Sequence, residues 1–202
     1  MDTYPDDSGN EQAWLGLVPF RMEGVTPRHI PEIPGIHAFP ETNIRTYVHR
    51  DAQEPGVWFF SLDAANTLAC KIARKFFHLP YFEARMSVQE SPSGIAYRSS
   101  RRSGGATCEA NCVPVGDLFS AEPGTLEFFL AERYLLYSRS PRGIHTGRVF
   151  HTPYRLQRLE SVSIKETLVE AAEIPSKPFH HYLFSPGVDV DVYRLSPSLR
   201  VG

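Results

Sequence analysis

The stretch FPETNIRTYV, residues 39–48, constrains the fold of this chain more than any other segment. Successive side chains of a β-strand point to opposite faces. Glu41, Asn43 and Arg45 therefore share one side, and Thr42, Ile44, Thr46 and Val48 the other. A carboxylate, an amide and a guanidinium in one row suit the lining of a wet cavity, in a chain that is 42% hydrophobic. Arg45 can anchor a carboxylate, Glu41 can act as acid or base, and Asn43 can orient a ligand. The plainer alternative is a Glu41–Arg45 pair on the solvent side of an edge strand, which contributes little.

Turn residues punctuate the rest of the chain at short intervals. Residues 1–12 are polar and acidic and read as a disordered tail, leaving 13–202 as a single domain. A first strand is expected from Trp14 to Met22, followed by a Pro-rich link from Pro27 to Pro40. Glu54-Pro55-Gly56 reads as a turn before a buried strand from Val57 to Leu62. The main helix is expected near 63–78, with Asp63 as N-cap and Ala65, Leu68, Ala69, Ile72 and Phe76 as its inner stripe. Leu79-Pro80 ends it.

Further strands are expected at 82–90, 94–102, 105–113, 133–139, 143–151 and 159–166. Short helical turns are expected after Pro123-Gly124-Thr125 and at 167–173, with a closing strand in VDVDVYRL. Many strands and one good helix exclude a doubly wound parallel sheet. They predict a β-rich α+β domain, a curved or partly closed antiparallel barrel around a central cavity.

A formal charge of −2 gives no reason to expect nucleic acid as a partner. The apolar runs VWFF and LEFFL are too short to span a membrane. The first residues lack a basic, apolar leader, and Cys70, Cys108 and Cys112 are odd in number and irregular in spacing. A reducing, cytoplasmic setting is the expectation. The 21 cationic residues include four lysines: Lys71, Lys75, Lys165 and Lys177.

Other candidates divide between site and scaffold. Lys75 is either a cavity-facing nucleophilic amine or a solvated residue near a helix C-terminus. Glu127 and Arg133, in LEFFLAERY, are either ligand contacts, members of a buried ion pair, or solvated helix residues. Arg98, Arg101 and Arg102 read as a solvated strand face. His145, His151, Cys108 and Cys112 complete no metal site by spacing, and no cofactor motif is present.

The blocks WLGLVPFRMEGVTP, FPETNIRTYV, PGVWFFSLDAAN, FFHLPYF and PGTLEFFLAERYLLY, taken together, resemble the YqjF-like family. These are uncharacterised proteins with a fold related to acetoacetate decarboxylase. The matching blocks span Trp14 to Tyr193. The resemblance implies a cone-like β-barrel with a central cavity and a few peripheral helices, and it implies no activity. Acetoacetate decarboxylase itself forms a Schiff base through one lysine of an adjacent pair, in a stretch resembling Ala73 to Tyr81. Here that place holds Arg74-Lys75, one lysine instead of two. Corresponding strands of the decarboxylase carry a pocket carboxylate, which the resemblance carries over to Glu41.

The expected function is a central pocket for a small, keto acid-like molecule. Glu41 and Lys75 are the catalytic candidates for lyase-type chemistry, and Asn43, Arg45, Glu127 and Arg133 the ligand contacts. The alternative is a non-catalytic metabolite-binding module of the same fold. No cofactor, metal, nucleic acid or membrane is expected as a partner; a second copy of the chain, in a homo-oligomer, is compatible with this.

Overall fold

The computed structural model describes residues 1–6, 8–23, 38–51 and 53–196. Most of the Pro-rich link expected from Pro27 to Pro40 lies outside the described residues. In chain order the elements are β1 (Tyr4–Pro5), β2 (Glu11–Gln12), β3 (Leu15–Glu23), β4 (Ala38–Arg50), β5 (Gln53–Ala64) and α1 (Thr67–Phe77). Then follow β6 (Tyr81–Ser91), β7 (Gly94–Arg101), β8 (Thr107–Ser120), α2 (Leu126–Ala131) and β9 (Leu135–Ser140). The last are β10 (Gly143–His151), β11 (Arg155–Glu166), α3 (Leu168–Ala171) and β12 (Val190–Leu195).

β5 is the branch point of the main sheet. One edge pairs along most of its length with β4, which also pairs with β3. The other edge is shared: Val57 and Trp58 pair with β9, and Leu62 to Ala64 with β6. From these two places the sheet continues as β6-β7-β8-β11 on one side and β9-β10-β12 on the other. The β5–β6 and β5–β9 pairings are parallel, and the rest are antiparallel. A parallel pair needs a crossover, and α1 supplies it between β5 and β6. The strands thus form a forked sheet, and no pairing joins β3, β11 and β12 into a ring among the described residues.

The close approach of β9 to β5 depends on Gly56. A Cβ there would lie 2.6 Å from the Leu135 carbonyl oxygen. Gly56 therefore belongs to the strand, and the expected turn at 54–56 sits earlier, where Arg50 pairs with Gln53.

α1 starts later than expected. Asn66 is its N-cap, with its side chain accepting from the Ala69 amide at 3.0 Å, a cap worth about 1 kcal/mol. Asp63 instead lies inside β5, fully buried, where it accepts two hydrogen bonds from Arg101 at 2.7 and 3.0 Å. The Arg101 guanidinium also covers the Phe82 ring at 3.8 Å. Arg101 is thus a buried ion-pair partner and not part of a solvated face. The face of α1 that packs against the sheet matches the expected stripe only in part. Cys70 is buried and Ala69 and Ile72 pack on Phe39 and Ala64, while Leu68 and Phe76 are exposed.

Within residues 1–12, the described part contacts the body of the fold. The Asp2 amide donates to the Tyr47 carbonyl, β1 pairs with β2, and the Tyr4 ring meets Phe129 at 5.4 Å. Two clusters flank β4. Ile44 packs with Cys108, Leu168 and Val169 on one face, and Tyr47 with Val57, Leu62 and Leu136 on the other. Burying a side chain such as Ile44 contributes roughly 1.5–3 kcal/mol.

Candidate functional site

The alternation read in residues 39–48 is present in β4. Thr42 and Ile44 are buried on the packed face, and the Thr42 hydroxyl donates to the Tyr97 oxygen at 2.9 Å. Glu41, Asn43 and Arg45 lie on the other side, where they line a cleft together with Phe59, Leu62 and Tyr81. Register brings their neighbours to the same face: Phe20 and Ala64 flank Glu41, Val18 and Leu62 flank Asn43, and Gly16 and Phe59 flank Arg45. A bulge at Phe60 lets Phe59 and Leu62 both face the cleft. Ile72 and Phe77 of α1 and Leu130 of α2 supply apolar wall.

Glu41 is 3% exposed, and Tyr81 at the start of β6 donates its hydroxyl to Glu41 Oε2 at 2.9 Å. Burial pushes the Glu41 carboxyl up to about 8, the nearby Asp63 charge adds to this, and the Tyr81 bond opposes it. Burial and the adjoining carboxyl likewise hold the Tyr81 phenol well above its ordinary value. Glu41 is therefore a buried acid whose proton is exchangeable near neutral pH.

Asn43 is 5% exposed, and its Oδ1 is buried with no hydrogen-bond partner among the described residues. Arg45 donates from Nη2 to the Leu130 carbonyl at 3.0 Å, while its Nε is buried and unpartnered among the described residues. Gly16 makes room for this side chain, because a Cβ there would lie 3.3 Å from Arg45 Cγ and 3.2 Å from Tyr47 Oη. Four residues of extended chain separate Glu41 from Arg45, roughly 13 Å, so the two do not pair. The positive charge of Arg45 reaches Tyr154, which also lines the cleft, and opposes the rise that burial imposes on that phenol. Unmet hydrogen-bonding groups on buried side chains around a cleft are a place for a ligand.

Three expected site residues lie elsewhere. Lys75 is exposed, with its Nζ over the Phe76 ring at 5.4 Å, and it does not line the cleft. Lys71, Lys165 and Lys177 are exposed as well, so no lysine is desolvated in the way imine chemistry requires. Glu127 pairs with Arg158 at 2.9 Å, outside the cleft. Arg133 is buried beneath the amino-terminal segment: it pairs with Asp2 at 2.7 Å, donates to the Phe129 carbonyl and covers the Phe129 ring at 4.2 Å. It is a scaffold residue.

Tyr81 and Tyr154 are the site residues that pattern reasoning missed. Tyr81 stood in the quoted FFHLPYF block, but only the β5–β6 crossover brings its hydroxyl to Glu41. Tyr154 is positioned through Glu132, which accepts from the Tyr154 amide at 2.9 Å and from the Tyr134 hydroxyl at 2.5 Å. His151 stacks on Tyr134 at 4.5 Å, and His145 contacts Ser140 at 2.8 Å. Among the described residues no three His, Cys, Asp or Glu side chains group as metal ligands. Nor is any helix of theirs long and apolar enough to cross a membrane.

The fold has a counterpart among solved structures. The crystal structure of acetoacetate decarboxylase from Legionella pneumophila matches with a TM-score of 0.52 at 13% identity, over 90% of this chain and 70% of that one. That likeness defines the class: a mostly β protein with an acetoacetate decarboxylase-like fold. Within it, the chain belongs to the DUF2071 family of uncharacterized conserved proteins, whose model matches residues 2–189. It is 39% identical over 186 residues to the uncharacterized protein YqjF of Bacillus subtilis (strain 168), covering 90% of this chain and 74% of that protein.

Proposed function

We propose that the chain binds a small organic acid in the β4 cleft, with the ligand carboxylate at Arg45, a second oxygen at Asn43 and Glu41 at the far end. The observation that carries this reading is the pair of buried, unpartnered groups, Asn43 Oδ1 and Arg45 Nε, on the same strand face as a buried acid. Leaving such a group unsatisfied costs about 1–3 kcal/mol, and a ligand that pairs with it offsets that. Arg45 Nε and Nη2 point to an anion, and the apolar wall of Val18, Leu62 and Ile72 suits a carbon chain. A keto acid fits these groups without an imine, since all four lysines are exposed, including Lys177, which borders the cleft.

The same reading sets the protein in a reducing, cytoplasmic compartment, supported by three free cysteines, of which Cys70 and Cys108 are buried. The test is calorimetry and thermal shift with a panel of C4 to C8 oxo and hydroxy acids. Binding by the wild type and at least a 10-fold loss in Arg45→Gln support the reading. Equal binding by the two proteins, or no binding by either, contradicts it.

A further inference from the structure

We infer that the cleft acts on a carbon acid: Glu41 takes a proton from the carbon beside a ketone of the bound acid and returns it, interconverting keto and enol forms. This rests on the reading that the cleft binds an organic acid through Arg45. Three side chains stand in a fixed order on one straight strand face, Arg45, Asn43 and Glu41, at steps of about 7 Å. That order matches an anchor, a carbonyl partner and a proton acceptor spaced along one small chain. A 6-oxo acid has this spacing, with its carboxylate and ketone separated by four carbons, roughly 6–7 Å, and an acidic C–H on either side of the ketone.

Each group then has a defined part. The Arg45 guanidinium holds the carboxylate. The Asn43 amide, whose Oδ1 has no partner among the described residues, meets both states of the ligand oxygen: its N–H donates to a ketone or enolate, and its Oδ1 accepts from an enol. Glu41 Oε2 is occupied by Tyr81 at 2.9 Å, so Oε1 receives the proton. In the forward step the Oε1–H bond forms and the C–H bond breaks. The C–H pair becomes the new C=C, and the carbonyl π pair moves to oxygen as the enolate; transfer of the proton from Glu41 Oε1 to that oxygen gives the enol and restores the carboxylate. Return of the proton from Glu41, or of a deuteron exchanged from solvent, reverses every change. No oxidant, reductant or leaving group is involved. A carboxyl poised to about 8 is balanced between giving and taking a proton at neutral pH.

The experiment follows deuterium incorporation into 6-oxoheptanoate in D₂O by proton NMR, using the full chain, with binding read in the same tubes from ligand line broadening. Exchange at least 100-fold above protein-free buffer is expected, rising with pH through about 8, with Glu41→Gln reduced to the buffer rate while line broadening persists. The wild-type pH profile reads Glu41 without any substitution. Line broadening with exchange at the buffer rate overturns the inference and leaves the binding reading standing. Exchange undiminished in Glu41→Gln also overturns it. Neither broadening nor exchange removes both.

Discussion

Tyr81 donates its hydroxyl to Glu41 Oε2 at 2.9 Å, and this bond couples the end of the α1 crossover to the buried acid of the cleft. Because the bond favours the ionised carboxylate, it opposes the upward push of burial on Glu41. Tyr81→Phe should move Glu41 still higher, and lower stability by about 1 kcal/mol. Carboxyl infrared titration of the two proteins, paired with urea melts, checks both. An unchanged Glu41 titration contradicts the assigned role of Tyr81.

Glu41 makes stability depend on pH. Its folded value, about 8, stands above the ordinary 4.5, so the folded state holds the proton more tightly than the unfolded chain. Its stabilising contribution is complete below about 4.5 and is lost as pH rises through about 8. The wild type should therefore lose up to a few kcal/mol across that window, and Glu41→Gln should lack this part of the slope. Thermal melts from pH 4 to 9 check it, and the variant should be the more stable protein at pH 9.

Asp63 and Arg101 form a buried bidentate pair, 0% and 7% exposed. Asp63→Asn leaves the guanidinium without its charge partner and should cost about 3–5 kcal/mol. The double change Asp63→Leu with Arg101→Met removes both charges and should cost clearly less than the single one. Chemical denaturation of the three proteins measures the difference.

Arg133 holds the amino-terminal segment through Asp2, so Asp2→Asn should loosen residues 1–12 and cost about 1 kcal/mol. Hydrogen exchange should show loss of protection at the Asp2 amide, which donates to Tyr47. Ligand affinity should not change, because Arg133 does not line the cleft.

Lys75 offers a negative control. Lys75→Ala should leave binding of oxo acids unchanged, and borohydride should trap no adduct in either protein, since the amine is exposed. An intact mass increased by one ligand in the wild type alone would restore the imine reading.

How much of this was legible in the sequence follows the range of the interactions. The period of two in β4 is local, so the shared face of Glu41, Asn43 and Arg45 can be read from ten residues. The α1 stripe was read only in part, because the buried helix face is chosen by packing on Phe39 and Ala64, which the spacing alone does not fix. Asp63 looks like a cap in isolation, but it is claimed by Arg101, 38 positions away. Glu127 and Arg133 sit in one short block, and what each one does depends on partners at Arg158 and Asp2, which no spacing rule reaches. The likeness over Ala73 to Tyr81 drew attention to Lys75, which is exposed, whereas Tyr81, six positions on, makes the contact to Glu41.

The most direct test of the account is a calorimetric titration of wild type and Arg45→Gln with 6-oxoheptanoate at pH 7. The account predicts saturable one-site binding by the wild type and at least a 10-fold weaker constant in the variant, with the fold unchanged by circular dichroism. Matching constants in the two proteins, or no heat in either across this ligand and its C4 to C8 relatives, would contradict it.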